Sequence, residues 1–197
     1  MIPSLYEPFK HWAAHGSVYI LSDLHFNDSD CKLMDKNWIS PEEQIAIINK
    51  NVFASDTFVC LGDVGKPEYV SKIKAKQKIL LLGNHDKKHL YTDLFSEIYD
   101  GPLFIAEKLL LSHEPIPGLS EWCLNIHGHD HSGSAGIANG HLNLAANVCN
   151  YTPVNLGKLI KDGALSNIKS IHRVTIDGQI LRKQKRSERN GQIQKPN

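Results

Sequence analysis

Three short apolar runs in the first half of the chain each stop at a cluster of polar, chemistry-bearing residues. Residues 17–22 (Ser-Val-Tyr-Ile-Leu-Ser) read as a buried strand that delivers Asp23 and His25 at its carboxyl end. Residues 57–61 end in Gly62-Asp63, and residues 78–82 end in Gly83-Asn84-His85-Asp86. Between the first two lie a polar loop over 27–40 and a helix start at Ser40-Pro41-Glu42-Glu43. That start has a capping serine, a proline in the first turn and two acids, and Ile45, Ile48 and Val52 follow on one face. Residues 67–75 read as a further helix. Three strand–ligand–helix units in succession predict an α/β arrangement with functional groups along the carboxyl edge of a sheet.

The second half has a different pattern. Residues 103–106, 109–112, 123–126 and 141–144 are apolar runs with little helix between them, and they predict a second sheet. The first two form a hairpin across Glu107-Lys108. Leu156, Leu159 and Ile160 have helical spacing, so a helix starts near Asn155. Asp177-Gly178 between apolar residues predicts another hairpin over 174–181. No internal repeat or linker interrupts the pattern, which gives one domain over 1–181 and a basic, disordered tail over 182–197.

Composition narrows the class. With 197 residues, 41% of them hydrophobic, the chain can bury a full core. The formal charge is +1, but the tail from Arg182 holds six basic residues and one acidic, leaving the body at −4. A dedicated nucleic-acid binder is disfavoured, although the tail offers nucleic acid a place to bind. Cys31, Cys60, Cys123 and Cys149 lack metal or redox spacing; Cys60 and Cys123 sit inside apolar runs and read as core thiols, while Cys31 falls in the polar loop. Neither a leader-like start nor a membrane-length apolar run is present, so the expected setting is the cytoplasm with no membrane partner.

The polar clusters suit one chemistry. In Gly128-His129-Asp130-His131 the alternate histidines of an extended segment point to opposite sides, so one loop can serve two adjacent metal ions. Asp23, His25 and His131 would complete one site and Asn84, His113 and His129 the other, with the Asp63 carboxylate reaching both. Two close divalent metals lower the pKa of a bridging water and clamp phosphoryl oxygens, which is what hydrolysis of a phosphate ester at neutral pH requires. Mixed nitrogen and oxygen donors suit Mn²⁺, Fe, Zn²⁺ or Ni²⁺ better than Mg²⁺ or Ca²⁺, and a pair of Mn²⁺ ions is the expectation. His85 sits beside a ligand and reads as the group that meets substrate and protonates the leaving oxygen, with Asp86 orienting it. His127 reads as a support for the ligands or as structural. Any single block is commonplace, but five in one order, each after an apolar run, are not.

Asp23-x-His25, Gly62-Asp63, Gly83-Asn84-His85-Asp86, His113 and Gly128-His129-x-His131 together resemble the five-block pattern of the calcineurin-like metallophosphoesterases, with every ligand position filled. Within that superfamily the wording is most similar to the small single-domain bacterial and phage phosphoesterases. The resemblance covers about residues 17–160. It implies a four-layered α/β/β/α sandwich of two mixed sheets flanked by helices, and phosphodiesterase or phosphomonoesterase activity on a phosphorylated small molecule or nucleotide. Where the family's protein phosphatases carry an arginine after the second block, this chain reads Gly62-Asp63-Val64-Gly65-Lys66, which disfavours phosphoproteins as substrates. The chain is also short for the added domains of the superfamily's DNA-repair nucleases. A nucleic-acid-directed phosphoesterase and a non-catalytic scaffold of the same fold are the alternatives, and the second is disfavoured because no ligand position is lost.

Overall fold

The structure, a computed structural model, describes residues 7–119, 121–169 and 178–185. Val18–Leu21 (β1), Thr57–Cys60 (β2), Gln77–Leu81 (β3) and Glu97–Tyr99 (β4) pair in parallel in that order, and Val154–Asn155 (β10) adds antiparallel to β1. Leu103–Ala106 (β5), Leu109–Leu111 (β6), Leu124–His127 (β7), Ile137–Ala138 (β8) and His141–Asn143 (β9) build the second sheet in the order β5-β6-β7-β9-β8. The β5–β6 hairpin turns across Glu107-Lys108 as predicted, β6, β7 and β9 run parallel, and β8 closes the edge antiparallel.

The period of two along each strand separates two cores. Val18, Ile20, Val59, Leu61, Ile79 and Leu81 face Leu109, Leu111, Leu124, Ile126, Leu142 and Leu144 between the sheets. Leu21, Phe58, Cys60 and Leu80 face the other way, onto Ile45, Ile48 and Val52. The first two of these belong to the helix Pro41–Asn51 (α2), which starts in the predicted capping box: Ser40 Oγ accepts from Glu43 N and the Glu43 carboxylate accepts from Ser40 N. Leu156–Lys161 (α3) begins where expected, capped by the Asn155 side chain on Lys158 N at 2.9 Å. Two mixed sheets with flanking helices are therefore the fold, as the resemblance implied. All four cysteines are free thiols, three of them buried. Among the described residues no helix is long and apolar enough to cross a membrane.

Local differences have local causes. Residues 67–72 form a 3-10 helix rather than an α-helix, and Cys31–Met34 (α1) interrupts the expected loop with a single turn. Strand β4 escapes a periodicity reading because it is three residues long and opens on a glutamate. Glu97 is anchored there by His11 Nε2 at 2.5 Å, Trp12 Nε1 at 3.3 Å and the Tyr99 hydroxyl at 2.5 Å. Residues 178–185 are helical, which overturns the hairpin read across Asp177-Gly178. Gln, Leu, Arg and Lys there are good helix formers, and Ile180 and Leu181 stay 46% and 57% exposed, without a sheet to pair with. Residues 174–177 of that hairpin, and 186–197 of the expected tail, lie outside the described residues.

The two sheets meet at their carboxyl ends. Ser22 N donates to Leu144 O at 2.9 Å, and Asp23 N donates to Gly62 O at 2.9 Å. Asp23 and His25 follow β1, Asp63 follows β2, Asn84 follows β3, His113 follows β6 and His129 follows β7, so one edge of the sandwich gathers every predicted ligand.

Candidate metal centre

Four of the seven predicted ligands have left-handed backbones: Asp23 at φ 55°, His25 at 41°, Asp63 at 51° and His129 at 67°. Such a conformation costs about 1 kcal/mol or more per non-glycine residue and persists where the surroundings over-determine it. Here they do. His25 N donates to Asp63 O and Phe26 N to Val64 O, each at 2.9 Å, so the turns after β1 and β2 lock together. His129 N donates to Asp23 Oδ2 at 2.8 Å, tying the histidine loop to the same point. A Cβ on Gly128 would collide with the Asp23 carboxylate and the Ser22 hydroxyl, so this approach requires glycine.

Side-chain donor atoms converge in two groups. One ligand atom each from Asp23, His25 and His131 lie within 4.8 Å of one another, and so do those of Asp23, Asp63 and His113. Asp23 is common to both groups, and Asp63 Oδ2 of the second lies 3.6 Å from His25 Nε2 of the first and 3.4 Å from His113 Nε2 of its own. Asn84 Oδ1 is 2.8 Å and His129 Nδ1 3.3 Å from His113 Nε2. His131 Nε2 is 3.8 Å from Asp23 Oδ1. All seven residues named from the sequence are thus brought together.

The far nitrogens of three rings are committed outward. His25 Nδ1 meets Asp28 Oδ2 at 3.1 Å, His113 Nδ1 donates to Leu61 O at 2.9 Å, and His131 Nδ1 meets Asn147 Oδ1 at 3.0 Å. Asn147 Nδ2 also donates back to His131 O at 2.9 Å. Fixing Nδ1 in this way turns each Nε2 lone pair inward, as ligation needs. Trp38, 5% exposed, packs edge-on against both His25 and His131 with ring centroids 5.8 and 5.7 Å away. Inside the cage Asp23 Oδ1 and His25 Nε2 are buried with no hydrogen-bond partner, as is Ser22 Oγ beside them. Unsatisfied buried polar atoms cost about 1–3 kcal/mol each. A carboxylate oxygen and an imidazole nitrogen left bare, facing each other's neighbours, fit a divalent cation.

Charge at the second group points the same way. Burial disfavours a charged His113, but hydrogen bonding to Asp63 and the charges of Asp23 and Asp63 outweigh it and raise its pKa to about 9. Burial likewise opposes ionised Asp63, and His113 overcomes it and holds the carboxyl below its ordinary value. Without metal the pair is an imidazolium and a carboxylate; with metal the cation takes the proton's place. The raised His113 pKa makes its contribution to stability complete below about 6.5 and lost as pH climbs through about 9. Melting curves should therefore show the metal-free protein weakening over that window, while the Mn²⁺-loaded protein does not. Equal pH profiles for the two forms would contradict this assignment.

His85 opens onto a cleft of about 460 Å³ beside His25. Its backbone N–H donates to Asp63 Oδ1 at 3.0 Å and its ring stacks edge-on to His25 at 5.7 Å. Asp86 does not orient it. Both Asp86 oxygens accept backbone N–H groups instead, from Asp63 at 2.8 Å, Gly83 at 2.9 Å and Val64 at 3.0 Å, because the strand-end turns converge on that carboxylate. Asp86 thus fixes the backbone that carries Asp63. His127 Nδ1 donates to Gly128 O at 2.8 Å, its ring packs edge-on to His141 at 5.4 Å, and burial lowers its pKa. Burial pushes the Cys31 thiol up to about 12, which suits a core thiol.

In the sequence Asp28 and Trp38 stand only as members of the polar loop over 27–40, and Asn147 has no assigned role. The signal for Asp28 was its place three residues after His25; Asn147 and Trp38 carried none without the fold. Asp28→Ala and Asn147→Ala should each weaken metal binding about 10- to 100-fold. Titration with Mn²⁺ by calorimetry measures this, and unchanged affinity in both would show that these contacts do not support the ligands.

The sequence profile of the calcineurin-like phosphoesterases matches residues 16–184. The chain belongs to that family. Members bind divalent metals and act on phosphorylated substrates. Among solved structures, this family member is similar to the protein of unknown function AQ665 from Aquifex aeolicus, with 25% identity, a TM-score of 0.61, and coverage of 74% of this chain and 98% of that one. A single-substitution variant of Vps29 from Entamoeba histolytica aligns at 17% identity and a TM-score of 0.40, over 66% of this chain and 74% of that one. A search of curated proteins returns no significant match.

Proposed function

We propose that the chain is a binuclear metal-dependent phosphoester hydrolase acting on a small-molecule or nucleotide substrate. The observation that carries this reading is the Asp63 carboxylate standing between His25 and His113 where two ligand groups meet. Asp23, His25 and His131 would hold one cation, Asn84, His113 and His129 the other, with Asp63 shared. Mn²⁺ is the metal of this reading, and the mixed nitrogen and oxygen set also suits Fe, Zn²⁺ and Ni²⁺. Bound there, divalent cations supply an activated water and neutralise charge on the phosphoryl oxygens.

The protein's own groups do the rest. His85, exposed in the cleft beside the cage, donates a proton to the departing oxygen. Asp28 and Asn147 keep His25 and His131 in the ligating tautomer. Val64-Gly65-Lys66 follows the second block without an arginine, and the Phe26–Gly65 bridge holds that turn against β1's extension. Four free thiols support a reducing compartment, the cytoplasm.

Purified protein given Mn²⁺ should hydrolyse bis-p-nitrophenyl phosphate or p-nitrophenyl phosphate, lose turnover to a chelator, and regain it when Mn²⁺ is restored. No metal-dependent turnover on either ester overturns the reading.

A further inference from the structure

The cleft beside the cage has walls that metal binding does not explain. It is lined by His25, Asn27 and Asp28 on the β1 side and by Lys66, Pro67, His85, Lys87, Leu90 and Tyr91 on the other. Lys66 and Lys87 are exposed, and neither makes an ion pair among the described residues. Lys72 by contrast pairs with Glu42 and covers the Tyr69 ring, and Lys88 pairs with Asp100. The carboxylate in the cleft, Asp28, is engaged by His25 Nδ1 and by Asp30 N at 2.9 Å, so it is committed before any ligand arrives. Leu90, 45% exposed, and Pro67 add apolar surface to the same lining.

Position decides what these groups meet. His85 lines the same cleft, and in the hydrolase reading it faces the departing oxygen, so whatever lies beyond it belongs to the leaving group. We propose that Lys66 and Lys87 form an anion subsite on the leaving-group side, and that the substrate class is a phosphoester whose departing alcohol carries a phosphate of its own. This rests on the hydrolase reading for the direction of the substrate, while the anion subsite stands on the cleft itself. Pro67 fixes the backbone after Lys66 at the start of its 3-10 helix, and the Tyr91 hydroxyl donates to Gly65 O at 2.8 Å. The two lysines therefore project from an anchored rim. Each meets phosphate as a point charge through charge-assisted hydrogen bonds.

The test compares binding of thymidine phosphorylated on both hydroxyls with thymidine phosphorylated on one, measured by calorimetry on the metal-free protein, which does not turn either over. The wild type should prefer the doubly phosphorylated nucleoside by about tenfold or more. That preference should shrink as salt rises. It should vanish in Lys66→Ala/Lys87→Ala, survive in Lys66→Arg/Lys87→Arg, and persist in Lys72→Ala. A wild-type preference near one, or one that the double alanine variant retains, overturns the subsite. Turnover of bis-p-nitrophenyl phosphate measured alongside separates the two readings: turnover without the preference sinks the subsite alone. The lysine-dependent preference without turnover supports the subsite while the hydrolase reading falls.

Discussion

Asp63→Asn is expected to remove metal-dependent turnover of bis-p-nitrophenyl phosphate almost entirely and to leave at most one bound metal per chain. The substitution keeps the shape of the side chain, so the turn after β2 and its contacts to Asp86 and to the His85 backbone persist. It removes the charge that stands 3.6 Å from His25 Nε2 and 3.4 Å from His113 Nε2. Metals supply several kcal/mol of transition-state charge stabilisation. At about 1.4 kcal/mol per tenfold, losing that corresponds to a rate at least ~10³-fold lower. Rates and metal content measured on the same preparation check it together. Near-wild-type turnover in Asp63→Asn would show that the two ligand groups do not act through a shared carboxylate.

His85→Ala carries the second large effect and should differ in kind. The backbone N–H of His85, not its ring, holds Asp63 Oδ1, so truncating the side chain leaves the cage intact and both metals bound. General acid catalysis contributes about 10²- to 10⁴-fold, most where the leaving oxygen is a poor one. kcat should therefore fall by that range on an alkyl phosphodiester and far less on an ester that releases p-nitrophenolate. A loss of equal size on both esters, or a loss of metal, would assign the ring to ligation or packing rather than to proton donation.

What the sequence disclosed and what it hid have the same physical origin. β1, β2, β6 and the last three residues of β3 are mostly apolar because both of their faces are buried, so these strand ends, and the ligands placed after them, are marked by a sharp change in hydropathy. The capping box of α2 is a local device and legible for that reason. Supports that arise from tertiary packing left no local trace. Asn147 reaches His131 from a separate turn after β9, and Trp38 reaches two histidines from the loop before α2. Asp86 follows His85 in sequence, which invites a pairing, yet three converging N–H groups draw its carboxylate away. The left-handed backbones at Asp23, His25, Asp63 and His129 are likewise imposed by interlocked turns that no single segment specifies.

Anomalous diffraction from crystals grown with Mn²⁺ reads the central claim at atomic detail. Two peaks should flank the Asp63 carboxylate, about 3.5–4 Å apart, one against Asp23, His25 and His131 and the other against Asn84, His113 and His129. A peak elsewhere, or none at Asp63, would mean that these seven side chains gather for some purpose other than holding a pair of cations.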